Sequence, residues 1–302
     1  MSSSEAPVAV TGATGFLGRA LVDQLVSAGS SVRALTRRPQ PATRHVEWIE
    51  GDLDDAEALR QLCTGAKTVF HLAALTKARS REIFMAVNAT AAARLAGLAR
   101  EAGARRFVLV SSLAAREPHL SPYAASKAAA EAAVKEAAGD MDIAIVRPPA
   151  IIGPNDTATA QLLDGLKAGW LPVPGGRSSS TIAIMYVDDI ARFILQLGDG
   201  EPPDGVVEPM SPPGGVTWRG LADTATEVLS KRVRLVPVPA PLLLTAAYVA
   251  EGVSGLFGKT SYFNAGKVRE LLHPDWRGKT VMAGARDLSE TLRLALNLKA
   301  VE

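Results

Sequence analysis

Tyr123 and Lys127 stand four residues apart in SPYAASK (121–127), a spacing that puts both side chains on one face of a helix. An ammonium beside a phenol stabilises the phenolate and lowers the tyrosine pKa towards working pH. The run before them, RRFVLVSS (105–112), ends in Ser111 and Ser112, and a serine just after a strand can hold a substrate oxygen by a hydrogen bond. Together these groups form an acid–base device for interconverting a carbonyl and an alcohol. A tyrosine and a lysine on an ordinary helix face would have the same spacing, so the meaning of the pair depends on the elements around it.

The most informative of those elements is TGATGFLG (11–18). It follows PVAV (7–10), an apolar run suited to a buried parallel strand. It leads into FLGRALVDQLVSAG, where Phe16, Leu17, Leu21, Leu25 and Val26 fall along one helical face and Gly29 offers a stop. In a strand–turn–helix unit of this kind, one glycine allows the sharp turn, one lets backbone approach a pyrophosphate, and one lets helix and strand pack closely. The helix N-terminus then faces the anion. Gly12, Gly15 and Gly18 take these places, in GxxGxxG rather than GxGxxG spacing, and Thr14, Phe16 and Leu17 belong to the same turn. The expected ligand is a dinucleotide. After the second strand, an acid about 20 residues past the glycines would grip the ribose hydroxyls of NAD. This chain has Thr36, Arg37 and Arg38 there, and two guanidiniums suit the extra 2′-phosphate of NADP. The expectation is NADP in preference to NAD; a solvated arginine pair is the plain alternative.

Further strands are expected at 32–37, just before Asp52, and at 68–74, 105–112 and 143–151. Residues 88–103 and 123–139 are rich in helix formers. Strands alternating with helices predict an α/β fold, a Rossmann-type doubly wound parallel sheet whose ligand crevice lies beyond the strands' carboxyl ends. From about residue 155 proline and glycine cluster, in GWLPVPGGRSSS (169–180), EPPDGVVEPMSPPGG (201–215) and VPVPAP (236–241). These predict loops and turns. YVDDIARFILQL (186–197) reads as a strand end and a helix returning to the sheet, and residues 217–230, 240–258 and 264–272 as helices walling a substrate cleft. The expected organisation is a dinucleotide-binding domain over 1–154 and a smaller, mainly substrate-binding region over 155–302, with some segments returning to the sheet.

A charged fraction of 21% and a hydrophobic fraction of 47% describe a folded globule. The net charge of +2 gives no global pull towards nucleic acid or an anionic membrane. A lone Cys63 and no evident signal peptide predict a reducing cytoplasm. His45, His71, His119 and His273 lack ligand spacing, so no metal is expected. LLLTAAYVAEGVSGLFG (242–258) is interrupted by Glu251 and three glycines and falls short of the roughly 20 residues that span a bilayer. A helix lining an apolar pocket is preferred over an anchor, and peripheral membrane contact stays open. The expected partner is a small-molecule substrate, and a homodimer is compatible with the sequence.

In order along the chain, TGATGFLG, GDLDD, VFHLAA, the helix start at Asn88, VLVSS, YAASK and RPPAIIGP resemble the short-chain dehydrogenase/reductase superfamily, in its extended branch. The motifs cover roughly residues 7–154 and, through YVDDIARFI, much of the remainder. The resemblance implies an NAD(P)-dependent oxidoreductase. It implies that Gly12, Gly15 and Gly18 hold the pyrophosphate, that Asp52 and Leu53 border the adenine, that Ala73 and Ala74 lie near the nicotinamide ribose, and that Pro148 is a further cofactor-binding residue. Tyr123 would exchange the proton, Lys127 would bind the ribose and tune Tyr123, and Ser112 would orient the substrate oxygen, with Ser111 as the alternative. Asn88 would support a proton relay, or else cap a helix N-terminus; His71 would be structural. Relatives acting on nucleotide sugars often carry asparagine in an RxxNVYGP-like run, where this chain has Ala150. That departure favours reductases resembling 3β-hydroxysteroid dehydrogenase and dihydroflavonol reductase, acting on a fairly apolar alcohol or ketone. A nucleotide-sugar epimerase/dehydratase and a non-catalytic NADP-binding sensor are the alternatives.

Overall fold

The computed structural model describes residues 6–154, 156, 159–256, 261 and 263–298. The N-terminal residues on which the lack of a signal peptide was read, and Phe257 and Gly258 of the long apolar run, lie outside them. The chain forms two compact units that interleave along the sequence; the sequence reading sets a boundary at residue 154 and returns some later segments to the sheet. The first unit comprises the described residues up to Pro118, Pro122–Arg147 and Ile190–Val207; the second comprises His119–Ser121, Pro148–Asp189 and the described residues from Glu208 on.

The first unit is built on β1 (Val8–Thr11), β2 (Val32–Thr36), β3 (Val46–Glu50), β4 (Thr68–His71), β5 (Arg106–Val110) and β6 (Asp142–Val146). With a short strand, Val206–Val207, these make one seven-stranded sheet in the order Val206–Val207, β6, β5, β4, β1, β2, β3. Every pairing in it is parallel. This is the Rossmann-type α/β arrangement, with the order reversing between β1 and β4. Buried on both faces, β1, β4 and β5 carry no exposed residue, which explains their near-continuous apolar runs. The helices are α1 (Phe16–Ser27), α2 (Ala56–Cys63), α3 (Arg81–Met85), α4 (Ala91–Glu101) and α5 (Pro122–Ala138). Leu59 and Leu62 of α2, Leu95 of α4 and Val134 of α5 share a core with Phe107 and Ile145. In α1 the buried face is Gly18, Leu21, Val22 and Leu25; Phe16, Leu17 and Val26 are half-buried.

Two expectations are corrected here. Asn88 does not cap a helix: it is buried inside a π-helical turn, Ala86–Thr90, that joins α3 to α4, and the cap of this run is Ser80, whose side chain accepts the Ile83 N–H. The strand foreseen over 143–151 divides into β6 and a separate strand, Ala150–Ile152, in the second unit. Pro148 and Pro149 between them have no N–H to give to a ladder.

In the second unit, α6 (Ala160–Ala168), the first residues of α7 (Val187–Asp199), α8 (Trp218–Leu229), α9 (Ala240–Leu256), α10 (Ala265–Leu272) and α11 (Leu288–Ala295) surround small strand pairs. WLPVP (170–174), expected to be loop, is a strand, paired in parallel with Arg234–Val238. Gly175 donates to Val238 and Arg234 to Gly169, so the odd-numbered N–H groups of the first strand face the second. Pro172 and Pro174 fall on the outer edge, where a missing donor breaks no ladder. Leu171 and Val173 join Leu166, Leu221 and Leu292 in this unit's core.

Close approach decides the first turn of the sheet. Gly12 has φ +74°, and a Cβ there would stand 2.6 Å from the Ala73 nitrogen; a Cβ on Gly18 would overlap the Gly12 carbonyl oxygen. Gly97, inside α4, has nothing within 4 Å of an added Cβ. Gly18→Ala is therefore expected to destabilise the protein by about 1–3 kcal/mol through overpacking, whereas Gly97→Ala should stabilise it by about 0.4–1 kcal/mol. Urea unfolding of both variants checks this, and equal stabilities would contradict the packing described.

Candidate active site

The site is assembled where β5 meets α5. Lys127 is 3% exposed, and its Nζ donates to the Val110 carbonyl at the end of β5, 2.7 Å away. Burial pushes its pKa down to about 8, partly opposed by the Glu131 carboxylate one turn on. Tyr123, one turn before Lys127, is half-buried, and its ring meets Phe84 edge-on at 6.1 Å between centroids.

Asn88 fastens the segment after β4 to the start of α5. Its Oδ1 accepts the Leu75 N–H at 2.7 Å, and its Nδ2 donates to the Leu75 carbonyl at 2.9 Å and to Ser126 Oγ at 3.0 Å. Ser126 in turn donates to the Tyr123 carbonyl at 2.7 Å. Every hydrogen-bonding group of the buried amide is used. Ala73 and Ala74, half-buried, lie on the segment so held.

The two serines have different surroundings. Ser111 is buried and donates to Glu131 Oε1, and Glu131 also accepts two hydrogen bonds from Arg147, at 2.8 and 2.7 Å. Ser112 begins a 3-10 turn, Leu113–Arg116, and accepts the Ala114 N–H at 3.2 Å. The sequence reading missed Ser126, Glu131 and Arg147. A signal was available for one: Glu131 continues the Tyr123, Lys127 series at four-residue spacing on the same face of α5.

At the neighbouring strand ends, Thr11 Oγ1 lies 2.7 Å from His71 Nδ1 and accepts the Ala73 N–H at 3.4 Å. His71 is fully enclosed; burial, and then the charge of Lys127, push its pKa down to about 3, so the imidazole is neutral. Gly15 precedes the first turn of α1, and no side chain caps that helix end. Thr14 and Gly15 are exposed. With Gly12 and Gly18 held by backbone contact and no side chain capping α1, this turn has a form that suits a pyrophosphate.

The adenosine-side candidates stand beyond β2 and β3. Arg37 and Arg38 are exposed, on a turn fixed by buried Thr36, whose hydroxyl donates to the Arg38 carbonyl at 2.7 Å and accepts its N–H at 3.3 Å. Neither guanidinium makes an ion pair with the described residues. Asp52 Oδ1 accepts the Asp54 and Asp55 N–H groups at 2.8 and 3.1 Å, and Leu53 packs against the core. Pro148 is buried in the second unit.

The model of the NAD-dependent epimerase/dehydratase family matches residues 8–205. The ceramide reductase of Caulobacter vibrioides is 45% identical over 274 residues, 89% of this chain and 85% of that protein. A 4-hydroxy-2-methyl-3-oxo-4-farnesyl-3,4-dihydroquinoline-1-oxide ketoreductase of Stigmatella aurantiaca is 31% identical over 270 residues, 81% of this chain and 79% of its own. Among solved structures, MoeE5 in complex with UDP-glucose and NAD superposes with a TM-score of 0.71 at 23% identity, over 96% of this chain and 97% of that one, which is a likeness of fold. This chain belongs to the NAD-dependent epimerase/dehydratase family, and it is an NAD(P)-dependent oxidoreductase.

The buried His71 predicts an acid-labile fold. Its folded pKa lies below the ordinary value of 6.5, so the unfolded chain binds a proton that the folded one refuses. This residue's contribution to stability is intact above about pH 6.5 and is lost as pH falls from there towards 3. Urea unfolding at pH 7 and pH 5 should show a loss in the parent that is smaller in His71→Asn; an identical loss in both would contradict the assignment.

Proposed function

We propose that this enzyme interconverts a ketone and a secondary alcohol with NADP(H), and that its substrate is a ceramide-class lipid. The observation that carries the chemistry is the placement of Lys127, an ammonium buried at the end of β5 with Tyr123 one helical turn before it. The cofactor, when bound, supplies or takes up the hydride at the substrate carbon. In the reducing direction the carbonyl π bond opens as that carbon gains hydride, and Tyr123 gives its hydroxyl proton to the oxygen. Lys127 holds the nicotinamide ribose and stabilises the resulting phenolate. Ser112 orients the substrate oxygen, because the Ser111 hydroxyl is already given to Glu131. Asn88 and Ser126 position Tyr123 through its own backbone.

Gly12, Thr14, Gly15, Phe16, Leu17 and Gly18 cradle the pyrophosphate in this reading. Asp52 and Leu53 border the adenine, while Ala73 and Ala74 border the nicotinamide ribose. The substrate class rests on the likeness to ceramide reductase over most of both chains. An amide carbonyl is resonance-stabilised, so the reducible group of such a lipid is a ketone on its sphingoid chain. The departure at Ala150 supports a reductase over a nucleotide-sugar epimerase, and the presence of both Tyr123 and Lys127 supports an enzyme over a sensor.

The test uses an N-acylated 3-keto sphingoid base and NADPH carrying deuterium at the transferable position. One deuterium should appear on the carbinol carbon for each NADPH oxidised. An epimerase would leave the cofactor pool unchanged, and a sensor would bind NADPH without turnover. Arg37→Ala/Arg38→Ala should weaken NADPH far more than NADH, since two charge-assisted contacts to the 2′-phosphate are lost. Equal weakening, or a parental preference for NADH, would contradict the NADP assignment.

A further inference from the structure

Eight large hydrophobic side chains are exposed among the described residues, and six of them fall on three elements of the second unit: Trp170, Val236, Leu242, Tyr248, Val249 and Val253. On α9, Leu242, Val249 and Val253 are 60%, 60% and 50% exposed, and their spacing of seven and four residues puts them in one stripe. The opposite side carries Ala247, which is fully buried. A helix that is apolar almost all round, as α9 is, is normally buried; α9 leaves these three side chains in solvent. The only charged residue between Ala240 and Leu256 is Glu251.

The chain enters α9 from the strand Arg234–Val238, whose partner is Trp170–Pro174. Leu171 and Val173 of this ribbon lie in the core, so the alternate residues lie on the outer face. Trp170 is there, 46% exposed and in register with exposed Arg234, and Val236 follows. Lys231 and Arg232, both exposed, stand before the strand with buried Val233 between, and Lys231 Nζ is held to the Lys167 carbonyl at 2.9 Å. Residues 231–256 thus hold three cations against one acid, in the same segment of sequence as the exposed Val236, Leu242, Tyr248, Val249 and Val253. Tyr248, with its hydroxyl bonded to Arg269 at 3.1 Å, and Trp170 have the apolar body and polar tip favoured at a membrane–water boundary.

We propose that α9 and this ribbon dock the protein on a bilayer surface containing anionic lipid. Leu242, Val249 and Val253 enter the boundary of the acyl chains, and Lys231, Arg232 and Arg234 meet headgroup phosphates. No helix among the described residues is long and apolar enough to cross a membrane, so α9 lies in the plane of the surface. The cations are local; the small net charge of the whole chain hides them. The docking stands independently of the substrate assignment, and it would bring the enzyme to any substrate dissolved in the bilayer.

Flotation of the full-length protein with phosphatidylcholine vesicles, with and without phosphatidylglycerol, tests this. The parent should float with the phosphatidylglycerol vesicles, less so as salt is raised. Leu242→Ser/Val249→Ser/Val253→Ser should reduce binding by about tenfold or more, and Lys231→Gln/Arg232→Gln/Arg234→Gln should abolish the preference for phosphatidylglycerol. NADPH affinity should be unchanged in both variants, which reports an intact fold. A parent that stays in the soluble fraction with both vesicles would overturn the proposal, as would a serine variant that floats like the parent. A parental dimer that becomes a monomer in the serine variant would overturn it too, by making a second copy the occupant of this face.

Discussion

A buried ammonium is the constraint around which the first unit is arranged. Lys127 sits on α5 with almost no exposure and keeps one backbone acceptor, the Val110 carbonyl. Removing a cation from water is costly unless polar groups compensate it. Here a strand end supplies the acceptor, and Glu131, one turn along the same helix, supplies the opposing charge. Glu131 also takes two hydrogen bonds from Arg147, just past β6, and one from Ser111, just past β5. One carboxylate therefore ties two adjacent strand ends to the helix that carries Tyr123 and Lys127. Burial depresses the pKa of His71 and the same cation adds to the effect, so its influence reaches the end of β4.

The second organising contact is steric. Gly12 and Gly18 leave no room for side chains, because the backbone of Ala73 presses on one and the Gly12 carbonyl on the other. Thr11 and His71 join the ends of β1 and β4 beside them. No side chain caps the N-terminus of α1, which lies at the point where the strand order reverses. Asn88 then connects the segment after β4 to α5. The glycine turn and the Tyr123 helix are thus parts of one hydrogen-bonded frame.

Much of this frame was legible in the sequence because its constraints select residue types. Close backbone approach admits only glycine, and strands buried on both faces favour short apolar runs, so the turn and β1, β4 and β5 could be read directly. The Glu131–Arg147 pair could not: the spacing after Lys127 hints at Glu131, but its partner is an arginine of an ordinary kind, brought to it only by the packing of α5 beside β6. Asn88 was ambiguous because a π-helical turn leaves no mark in local propensity, and the cap at Ser80 lies eight residues upstream. Proline misled the reading of the second unit. At 172 and 174 it occupies outer-edge positions in a strand, where the usual argument against proline does not apply. The pairing that decides this is made with residues more than 60 positions away. The catalytic roles of Tyr123 and Lys127 remain the proposal on which the functional account turns.

Single-turnover kinetics of Tyr123→Phe tests that proposal most directly, because the substitution removes one hydroxyl and leaves the ring against Phe84. With NADPH affinity measured by fluorescence on the same sample, the account predicts unaltered cofactor binding and a rate of ketone reduction lower by about 10² to 10⁴-fold. Reduction at the parental rate would contradict it, and would leave the glycine turn as a binding site whose proton donor lies elsewhere.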